Sequence, residues 1–347
     1  MLRDLSIQNY RCFEDFQMDG LERVNLFVGN NNSGKTSLLE AIYLLVAEDK
    51  YASLIEIFIA RGEVIESSSY QVDSPIGIAK GLVHVEPVEH IFLNHKFVPE
   101  HDIRIFSNTR RNSRNVLVTY SSEGLYVSSW KNDEENRKSF VLKLLSNNAI
   151  KMFESSLNIQ KSSAIYIYDK KEDVEQMNLI WNDIYLTDKE NKVVKALQIL
   201  EPKIERIGFL DLKICKVARL KLTGHDRPIP LSSMGEGTHR ILNLSMALTK
   251  AENGVLLVDE IETGLHYEAQ TDMWRLILET AKELNVQVFA TTHSWDCIAA
   301  YQEALSQLED SSIGKLFRLD SKYGKLRAVE YDAEDLEVAT REGIEVR

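Results

Sequence analysis

The sequence has few of the residues and runs that mark several classes of protein. Its 347 residues include only three cysteines and six prolines, and the cysteines lie far apart. We therefore expect neither a disulfide framework nor a zinc site, and we expect reduced thiols in a cytoplasmic protein. No apolar run approaches the roughly 18–20 residues of a membrane helix, which argues against a membrane-spanning chain. The first residues lack the apolar stretch of a secretory signal.

Repeats, low-complexity tracts and sustained heptads are also missing, so neither a solenoid nor a coiled-coil arm is expected. Positive charge is in deficit, because 41 Lys and Arg against 53 Asp and Glu give a net charge of −12. This balance disfavours bulk nucleic-acid binding, although it leaves a local basic groove open. Residues 104–114 form one basic cluster, which is either a DNA contact or a solvated loop.

The composition is that of a globular protein, with 44% hydrophobic and 27% charged residues. Apolar runs alternate with amphipathic stretches in the first 45 residues and in the last third, which predicts βαβ units and a parallel sheet. In the middle, the patterns predict strands at residues 84–94, 114–122, 124–130 and 164–169, and helices at residues 139–150 and 173–200.

The strongest motif is an eight-residue loop between a short apolar strand and an amphipathic helix. It reads GNNNSGKT and fits the pattern G-x-x-x-x-G-K-[ST] at every position. Glycines let the backbone wrap around phosphates, and the helix offers its positive N-terminus. We expect Lys35 to reach the β- and γ-phosphates and Thr36 to bind Mg²⁺. The predicted nucleotide-binding residues are Gly29, Asn30, Asn31, Asn32, Ser33, Gly34, Lys35, Thr36 and Ser37.

Two later apolar runs end in residues that are suited to act on a bound nucleotide. The run VLLV delivers Asp259 and Glu260 at its end, where an α/β sheet places ligands. We predict that Asp259 holds Mg²⁺ and that Glu260 polarises the attacking water as a general base. The next run ends in TTHS, and His293 there is predicted to hydrogen-bond the γ-phosphate. Glu262 has three open interpretations: a residue near a helix N-cap, a carboxylate behind the site, or a surface residue.

These motifs resemble the ABC-type ATPase heads of RecF, SMC and OLD proteins, and most of all the compact bacterial AAA-domain ATPases related to the OLD nucleases. The resemblance is carried by GNNNSGKT, LSSMGEG, LLVDEIETGLH and TTHS, in that order. It implies a single α/β P-loop NTPase domain of the ABC-head type over residues 1–347. The implied architecture is a mixed or parallel central sheet with helices on both faces, an antiparallel β element and a helical insertion. Its implied parts are an N-terminal lobe (1–130), the insertion (about 131–205) and a C-terminal lobe (206–347).

The resemblance also implies roles that spacing alone does not give. Residues 232–236 resemble the ABC signature, which places Ser233 and Gly235 at the γ-phosphate held by a second protomer; a one-residue slip would place Ser232 there instead. From pattern alone, the same stretch is a serine N-cap at the start of a helix. Residues 264–266 resemble the D-loop, which lies across the dimer seam of such heads. Arg11 is either a contact to the base or sugar, or a surface arginine.

The implied activity is Mg-dependent ATP hydrolysis by heads that dimerise around ATP and drive or gate a partner effector. A role in DNA maintenance or anti-phage defence, with a separate Toprim-like nuclease as partner, follows only by analogy. No OLD-type nuclease domain is expected after the last motif. The alternative is an ATP-dependent scaffold that recruits a nuclease or toxin with negligible hydrolysis of its own. A GTPase is disfavoured because no N-K-x-D motif occurs, and Gln71 is a weak candidate for a Q-loop glutamine.

Overall fold

A computed structural model describes residues 1–66, 82–85, 88–99, 101–108, 113–121, 124–132, 137–143, 149–151, 163–168, 174–211, 216–322 and 325–347. The strands are β1 (Leu5–Tyr10), β2 (Phe13–Met18), β3 (Val24–Val28), β4 (Val64–Glu66), β5 (Leu82–Val85), β6 (Ile103–Ser107), β7 (Arg114–Ser121), β8 (Gly124–Lys131), β9 (Lys138–Lys143), β10 (Ala149–Lys151), β11 (Ala164–Ile167), β12 (Ile204–Asp211), β13 (Lys216–Leu222), β14 (Ile229–Pro230), β15 (Val255–Val258), β16 (Gln287–Thr291), β17 (Gly314–Lys322) and β18 (Lys325–Tyr331). The helices are α1 (Lys35–Val46), α2 (Lys50–Arg61), α3 (Val174–Ile184), α4 (Asp188–Leu197), α5 (Glu236–Lys250), α6 (Tyr267–Glu283), α7 (Trp295–Ser306) and α8 (Ala333–Arg341).

The chain divides into two compact units. The first comprises Met1–Glu22, Gly29–Ala164 and Phe317–Glu330, and the second comprises Arg23–Val28, Ile165–Leu316 and Tyr331–Arg347. The lobe boundaries that the family resemblance implies stay a prediction.

An antiparallel sheet forms the larger part of the first unit, in the order β2-β1-β6-β7-β8-β9. Its longest hairpin pairs β7 with β8 over eight residues, from Arg114 opposite Lys131 to Ser121 opposite Gly124. Val116 and Val118 are buried, whereas their neighbours along β7 are partly exposed. This period of two is expected of a strand with one covered face. A smaller sheet in the order β10-β5-β4 belongs to the same unit.

Two sequence predictions for this unit are wrong. The pattern predicts a helix over residues 139–150, but the chain forms β9 and β10 there. Phe140 of β9 lies opposite Val127 of β8, so pairing with a neighbouring strand overrides the local helical pattern. Residues 84–94 are not one strand either, because 3₁₀ turns follow β5 at Val88–Ile91 and Leu93–His95. These turns bond to the β1–β2 turn, where the Arg11 N–H donates to the Ile91 carbonyl oxygen.

The second unit contains the parallel sheet that the βαβ order predicts. β11, β15, β16 and β3 lie side by side, and β15 and β3 both run parallel to β16. Every residue of β15, β16 and β3 is buried, which explains why their sequences are unbroken apolar runs. Helix α6 connects β15 to β16, as a crossover between parallel strands requires. The predicted α/β fold is confirmed.

An antiparallel sheet, β12-β13-β14, and the helices α3, α4 and α5 complete most of the second unit. The helices predicted at residues 173–200 are confirmed as α3 and α4, and the strand predicted at 164–169 is confirmed as β11. Across the ranges given above, no helix is both long and apolar enough to cross a bilayer.

The junction between α1 and α2, in the first unit, holds two ionisable side chains that folding largely removes from water. Lys50 is buried and donates from Nζ to the carbonyl oxygens of Leu45 and Ala47, at the end of α1. Burial lowers the pKa of Lys50 well below its usual value. Glu56 accepts a hydrogen bond from the Tyr43 hydroxyl at 2.5 Å. Burial raises the pKa of Glu56 to about 7. The hydrogen bond from Tyr43 acts in the opposite direction, because it favours the charged carboxylate.

The substitution Glu56→Gln is expected to change how stability depends on pH. A carboxyl whose pKa rises on folding stabilises the protein fully below its unfolded pKa, here 4.5, and loses that contribution as the pH rises through about 7. Relative to Glu56→Gln, the wild-type free energy of unfolding should fall by about 3 kcal/mol across this range. Urea unfolding at a series of pH values measures the difference. Glu48→Gln, at an exposed position, is the matched control, and parallel curves for the two variants would contradict the prediction.

Candidate functional site

The phosphate loop, residues 29–36, lies in the first unit and ends where α1 begins. Three of its residues have positive φ: Gly29 at 148°, Asn32 at 64° and Gly34 at 91°. A Cβ on Gly29 would stand 2.7 Å from the Leu319 carbonyl oxygen, and a Cβ on Gly34 would stand 2.7 Å from Cys12 Sγ. Both glycines are therefore required by a close approach as well as by the backbone angle.

Polar groups of the loop fit the phosphates that the motif predicts. Lys35 Nζ donates to the carbonyl oxygens of Gly29 and Asn30, at 2.8 and 3.0 Å. The Ser33 hydroxyl is buried without a hydrogen-bond partner. The first turn of α1 contains no acidic residue, so no carboxylate of that turn offsets the positive end of the helix dipole. A lysine ammonium, a hydroxyl without a hydrogen-bond partner and a helix N-terminus together suit phosphate oxygens.

Buried charges tie α1 to the β1–β2 turn and to α2. Glu40 is 1% exposed and accepts from Arg11 at 2.8 Å and from Arg61 at 2.6 Å, through different oxygens. Arg11 also pairs with Glu63 at 2.8 Å, and Arg61 donates to Ser37 Oγ at 3.1 Å. Arg11 is thus a buried member of an ion-pair cluster, and its interpretation as a surface arginine is wrong. Its contact with a nucleotide stays a prediction.

In the second unit, the ends of β15 and β16 bring acidic and hydroxyl side chains together. Thr291 Oγ1 donates to Asp259 Oδ1 at 2.5 Å and accepts from the Glu260 N–H at 2.9 Å. Thr292 Oγ1 donates to Glu262 Oε1 at 2.6 Å. Residues that follow neighbouring parallel strands leave the sheet at the same edge. Each threonine therefore binds an acidic residue of the segment after β15.

His293 lies beside two of these carboxylates. Its Nδ1 is 3.5 Å from Glu260 Oε1 and 3.7 Å from Glu262 Oε1. The side chains of His293 and Glu260 are 54% and 36% exposed, whereas that of Glu262 is 11% exposed. The predicted base and the predicted γ-phosphate contact are thus neighbours that a ligand can reach. Glu262 is the carboxylate behind them, and its Oε2 is buried without a hydrogen-bond partner.

The backbone of Glu260 has a left-handed conformation, with φ at 45°. Such a conformation costs a non-glycine residue roughly 1 kcal/mol or more. Thr291 binds its N–H, and Arg240 Nη2 donates to its carbonyl oxygen at 2.8 Å. Sequence reasoning missed both partners. Two features of the sequence could have indicated them: Thr291 is a polar residue at the end of an apolar strand, and Arg240 is a basic residue beside the apolar stretch of α5.

The segment that resembles the ABC signature lies at the start of α5. Gly235, with φ at 83°, is the N-cap of this helix, so the serine N-cap predicted from pattern is wrong. Ser232 and Ser233 are exposed in a 3₁₀ turn. Gly264, in the segment that resembles the D-loop, contacts this helix start, because a Cβ on it would stand 3.2 Å from Glu236 Cβ. The two segments form one exposed surface.

The predicted magnesium ligands are one hydroxyl, of Thr36, and one carboxylate, of Asp259. Within the described ranges, no group of three or more His, Cys, Asp or Glu side chains could hold a metal ion by itself. Mg²⁺ is usually held by one or two protein oxygens together with substrate phosphates and water. Each of these two oxygen donors is of a type that suits Mg²⁺ bound jointly with a nucleotide, and the magnesium site stays a prediction.

Two further candidates are only partly visible. Gln71, the Q-loop candidate, lies outside the described residues. In the basic cluster, Arg104 is exposed on β6, and Arg114 donates to the Val46 carbonyl oxygen at 3.1 Å. Residues 109–112 of that cluster lie outside the described residues, so DNA contact there stays a prediction.

Comparison with known proteins gives concordant matches. The family model described as AAA ATPase domain matches residues 1–129 and 127–298. The chain is similar to a protein named ATP/GTP phosphatase from Helicobacter pylori, with 26% identity over 361 residues that cover 93% of this chain and 94% of the relative. It is also similar to the DNA replication and repair protein RecF of Streptococcus agalactiae, with 23% identity over 356 residues that cover 88% and 94%.

Solved structures support the fold. A crystal structure of an Smc head bound to the C-winged helix domain of ScpA matches with a TM-score of 0.56 and 14% identity, over 98% of this chain and 99% of that chain. An Smc head with an extended coiled coil, bound to the C-terminal domain of ScpA from Pyrococcus furiosus, matches with a TM-score of 0.50 and 10% identity, over 99% of both chains. The predicted P-loop fold of the ABC-head type is confirmed.

Removal of the Glu40 carboxylate is expected to destabilise the first unit strongly. In Glu40→Gln, the partly exposed Arg61 loses its charged partner and the buried Arg11 keeps only Glu63, which is expected to cost about 3 kcal/mol in the free energy of unfolding. The matched control is Glu22→Gln, which removes the partner of Arg3 in a solvent-exposed pair at 2.5 Å and is expected to cost less than about 1 kcal/mol. Urea unfolding measures both variants. Equal losses would show that the buried cluster adds nothing beyond a surface ion pair.

The Thr291 hydroxyl is expected to stabilise the edge of the parallel sheet. In Thr291→Val, Asp259 and the Glu260 N–H lose a buried hydrogen-bond partner, and the expected loss is about 1–3 kcal/mol in the free energy of unfolding. Thr291→Ser keeps the hydroxyl and is the control, with most of the stability retained. Thermal and urea unfolding measure the two variants. Destabilisation of Thr291→Ser equal to that of Thr291→Val would show that the hydroxyl is not the stabilising group.

Proposed function

The chain belongs to the AAA ATPase domain family and is an ATPase related to RecF and SMC heads, and on that premise we propose that two copies close around Mg-ATP and drive a partner effector. The observation that carries this proposal is the arrangement at the ends of β15 and β16, where Asp259, Glu260 and His293 lie together. A nucleotide-binding scaffold with no hydrolysis of its own needs neither a reachable base nor a histidine beside it.

We infer from the family resemblance that the phosphate loop binds the phosphates of ATP and that the residues after β15 and β16 serve its hydrolysis. Lys35 would exchange its bonds to loop carbonyls for the β- and γ-phosphates. Residues 29–34 and Ser37 would line the phosphates.

Mg²⁺ would be held by Thr36 and Asp259, and when bound it neutralises charge on the β- and γ-phosphate oxygens. The hydrogen bond from Thr291 to Asp259 Oδ1 fixes the orientation of that carboxylate. This preset orientation lowers the cost of ordering the Asp259 carboxylate when a ligand binds.

Glu260 would act as the general base. Water attacks the γ-phosphorus, the bond from phosphorus to the β–γ bridging oxygen breaks, and the proton of the water passes to the Glu260 carboxylate. His293, at 3.5 Å from that carboxylate, would hydrogen-bond a γ-phosphate oxygen. The partial exposure of both side chains lets water and phosphate enter.

A second copy would complete the site. The surface formed by Ser232, Ser233, Gly235 and Gly264 is exposed, and the family resemblance places Ser233 and Gly235 at the γ-phosphate of the partner's nucleotide. Closure would then require ATP on both heads and would be released by hydrolysis. This step supports an assembly of two or more copies in which nucleotide is part of the interface.

The effector would be a separate protein, with a Toprim-like nuclease as the leading candidate by family analogy. A role in DNA maintenance or anti-phage defence, in the cytoplasm, follows from the same analogy, and the RecF relative is named for DNA replication and repair. The net charge of −12 favours a protein partner over direct binding along DNA.

The variant Glu260→Gln tests this proposal. It keeps the size and the backbone contacts of Glu260 but cannot accept the proton, so phosphate release is expected to fall by roughly 100-fold or more. Mass in solution should show a dimer or larger assembly that persists with Mg-ATP in this variant and disperses in the wild type. Phosphate release and light scattering, with and without Mg-ATP, measure the two properties.

Lys35→Ala is the control, because it should lose nucleotide binding and remain dispersed. Full turnover by Glu260→Gln would remove Glu260 from the role of base. Nucleotide binding by the wild type without phosphate release would favour the scaffold.

A further inference from the structure

Arg240 makes an unusual set of hydrogen bonds for a residue of an apolar helix. It lies in α5, is 6% exposed, and donates from its guanidinium to the carbonyl oxygens of three consecutive residues. The distances are 3.0 Å to Asp259, 2.8 Å to Glu260 and 3.4 Å to Ile261. Burial of a guanidinium against neutral carbonyl groups is costly unless several of its donors are satisfied. Nε and Nη2 of the guanidinium are thus committed to the segment after β15.

This segment includes the proposed base. Glu260 has φ at 45°, and the next residue stays bonded to the end of β16, because the Ile261 N–H donates to the Thr291 carbonyl oxygen at 3.0 Å. Thr291 holds the N–H of Glu260 and Arg240 holds its carbonyl oxygen. The peptide groups on both sides of the Glu260 Cα are therefore fixed, and with them the direction in which its side chain leaves the backbone.

The two holding groups come from different elements. Thr291 ends β16, a strand in the middle of the parallel sheet, whereas Arg240 lies five residues after Gly235, the N-cap of α5. Five residues of helix rise about 7.5 Å. The helix start that carries the signature-like residues and the guanidinium that holds Glu260 are thus parts of one short rigid element.

We propose that Arg240 is a positioning residue for ATP hydrolysis, which fixes the Glu260 backbone to α5 so that the carboxylate stands where the attacking water must be. The inference rests on the proposed function, because it takes Glu260 as the base. It adds a residue that touches neither nucleotide nor water and acts through Glu260. A carboxylate displaced by about 1 Å from its working position can cost on the order of 100-fold in rate.

Two variants test the proposal. Arg240→Met keeps the aliphatic stem and removes all donors, and Arg240→Lys keeps the charge but replaces the planar fork with a single ammonium. We expect kcat for phosphate release to fall by roughly 100-fold in Arg240→Met and by roughly 10-fold in Arg240→Lys. The affinity for Mg-ADP, measured by calorimetry, should stay within about threefold of the wild type in both, since neither variant touches the phosphate loop.

Arg23→Met is the control for the loss of a partly buried arginine contact. Arg23 also donates to backbone carbonyl oxygens of the second unit, those of Ala281 and Val286, and to Asn285. Its removal should lower stability without lowering kcat. If Arg240→Met does not fold, Arg240→Lys decides the question, because it retains a buried donor at the same place.

A double variant separates positioning from a general structural role. If Arg240 acts through Glu260, Arg240→Met should slow Glu260→Gln by less than about twofold in single-turnover assays, since the group being positioned is already inactive. Multiplied losses in the double variant would overturn the proposal, as would full kcat in both single Arg240 variants. So would a loss of kcat that only follows a loss of Mg-ADP affinity or of stability. If Glu260→Gln itself turns over at the wild-type rate, the assignment of the base has failed, whatever the Arg240 variants show.

Discussion

The parallel pairing of β3, β16 and β15 is the constraint on which the candidate site depends. Thr291 pairs with Phe27 on one side, and on the other side Ala290 pairs with Val258. The three strands therefore end nearly level, and the Thr292 N–H still donates to the Phe27 carbonyl oxygen at 3.1 Å. Because the period of a strand is two, a slip by one residue would turn the Thr291 hydroxyl away from Asp259.

The residues proposed to act in ATP hydrolysis are held in place by residues that have no proposed role in the chemistry. Asp259 and Glu260 come from one loop, yet their geometry is set by a hydroxyl at the end of β16 and a guanidinium in α5. The left-handed backbone of Glu260 is unfavourable by itself, and the surrounding hydrogen bonds offset that cost. The phosphate loop is built in the same way, since its glycines admit close neighbours and Glu40 anchors its helix. In both units, supporting contacts determine where the motif residues stand.

Much of this could be predicted from sequence, because the decisive features are local. The phosphate loop has a fixed spacing, and strands buried on both faces have unbroken apolar runs, so β3, β15 and β16 were all predictable. The pairing of β9 with β8 was not predictable, because its stabilisation comes from a distant strand. The positioning contacts of Arg240 and Thr291 were not predicted for a related reason. They are made to backbone atoms, which every residue possesses and no pattern of side chains reveals. The exposure of Arg11 was also misjudged, since its carboxylate partners lie 29 and 52 positions further along the chain.

The burial of Glu40 determines how its ion pairs respond to dissolved salt. Dissolved salt weakens attraction between charges that water reaches, over a Debye length of about 8 Å at physiological strength, and acts far less on charges that protein surrounds. Glu40 and the guanidinium of Arg11 are 1% and 7% exposed. Concentrated salt should therefore weaken association between separate molecules, whereas the ion pair that joins α1 to the β1–β2 turn should persist.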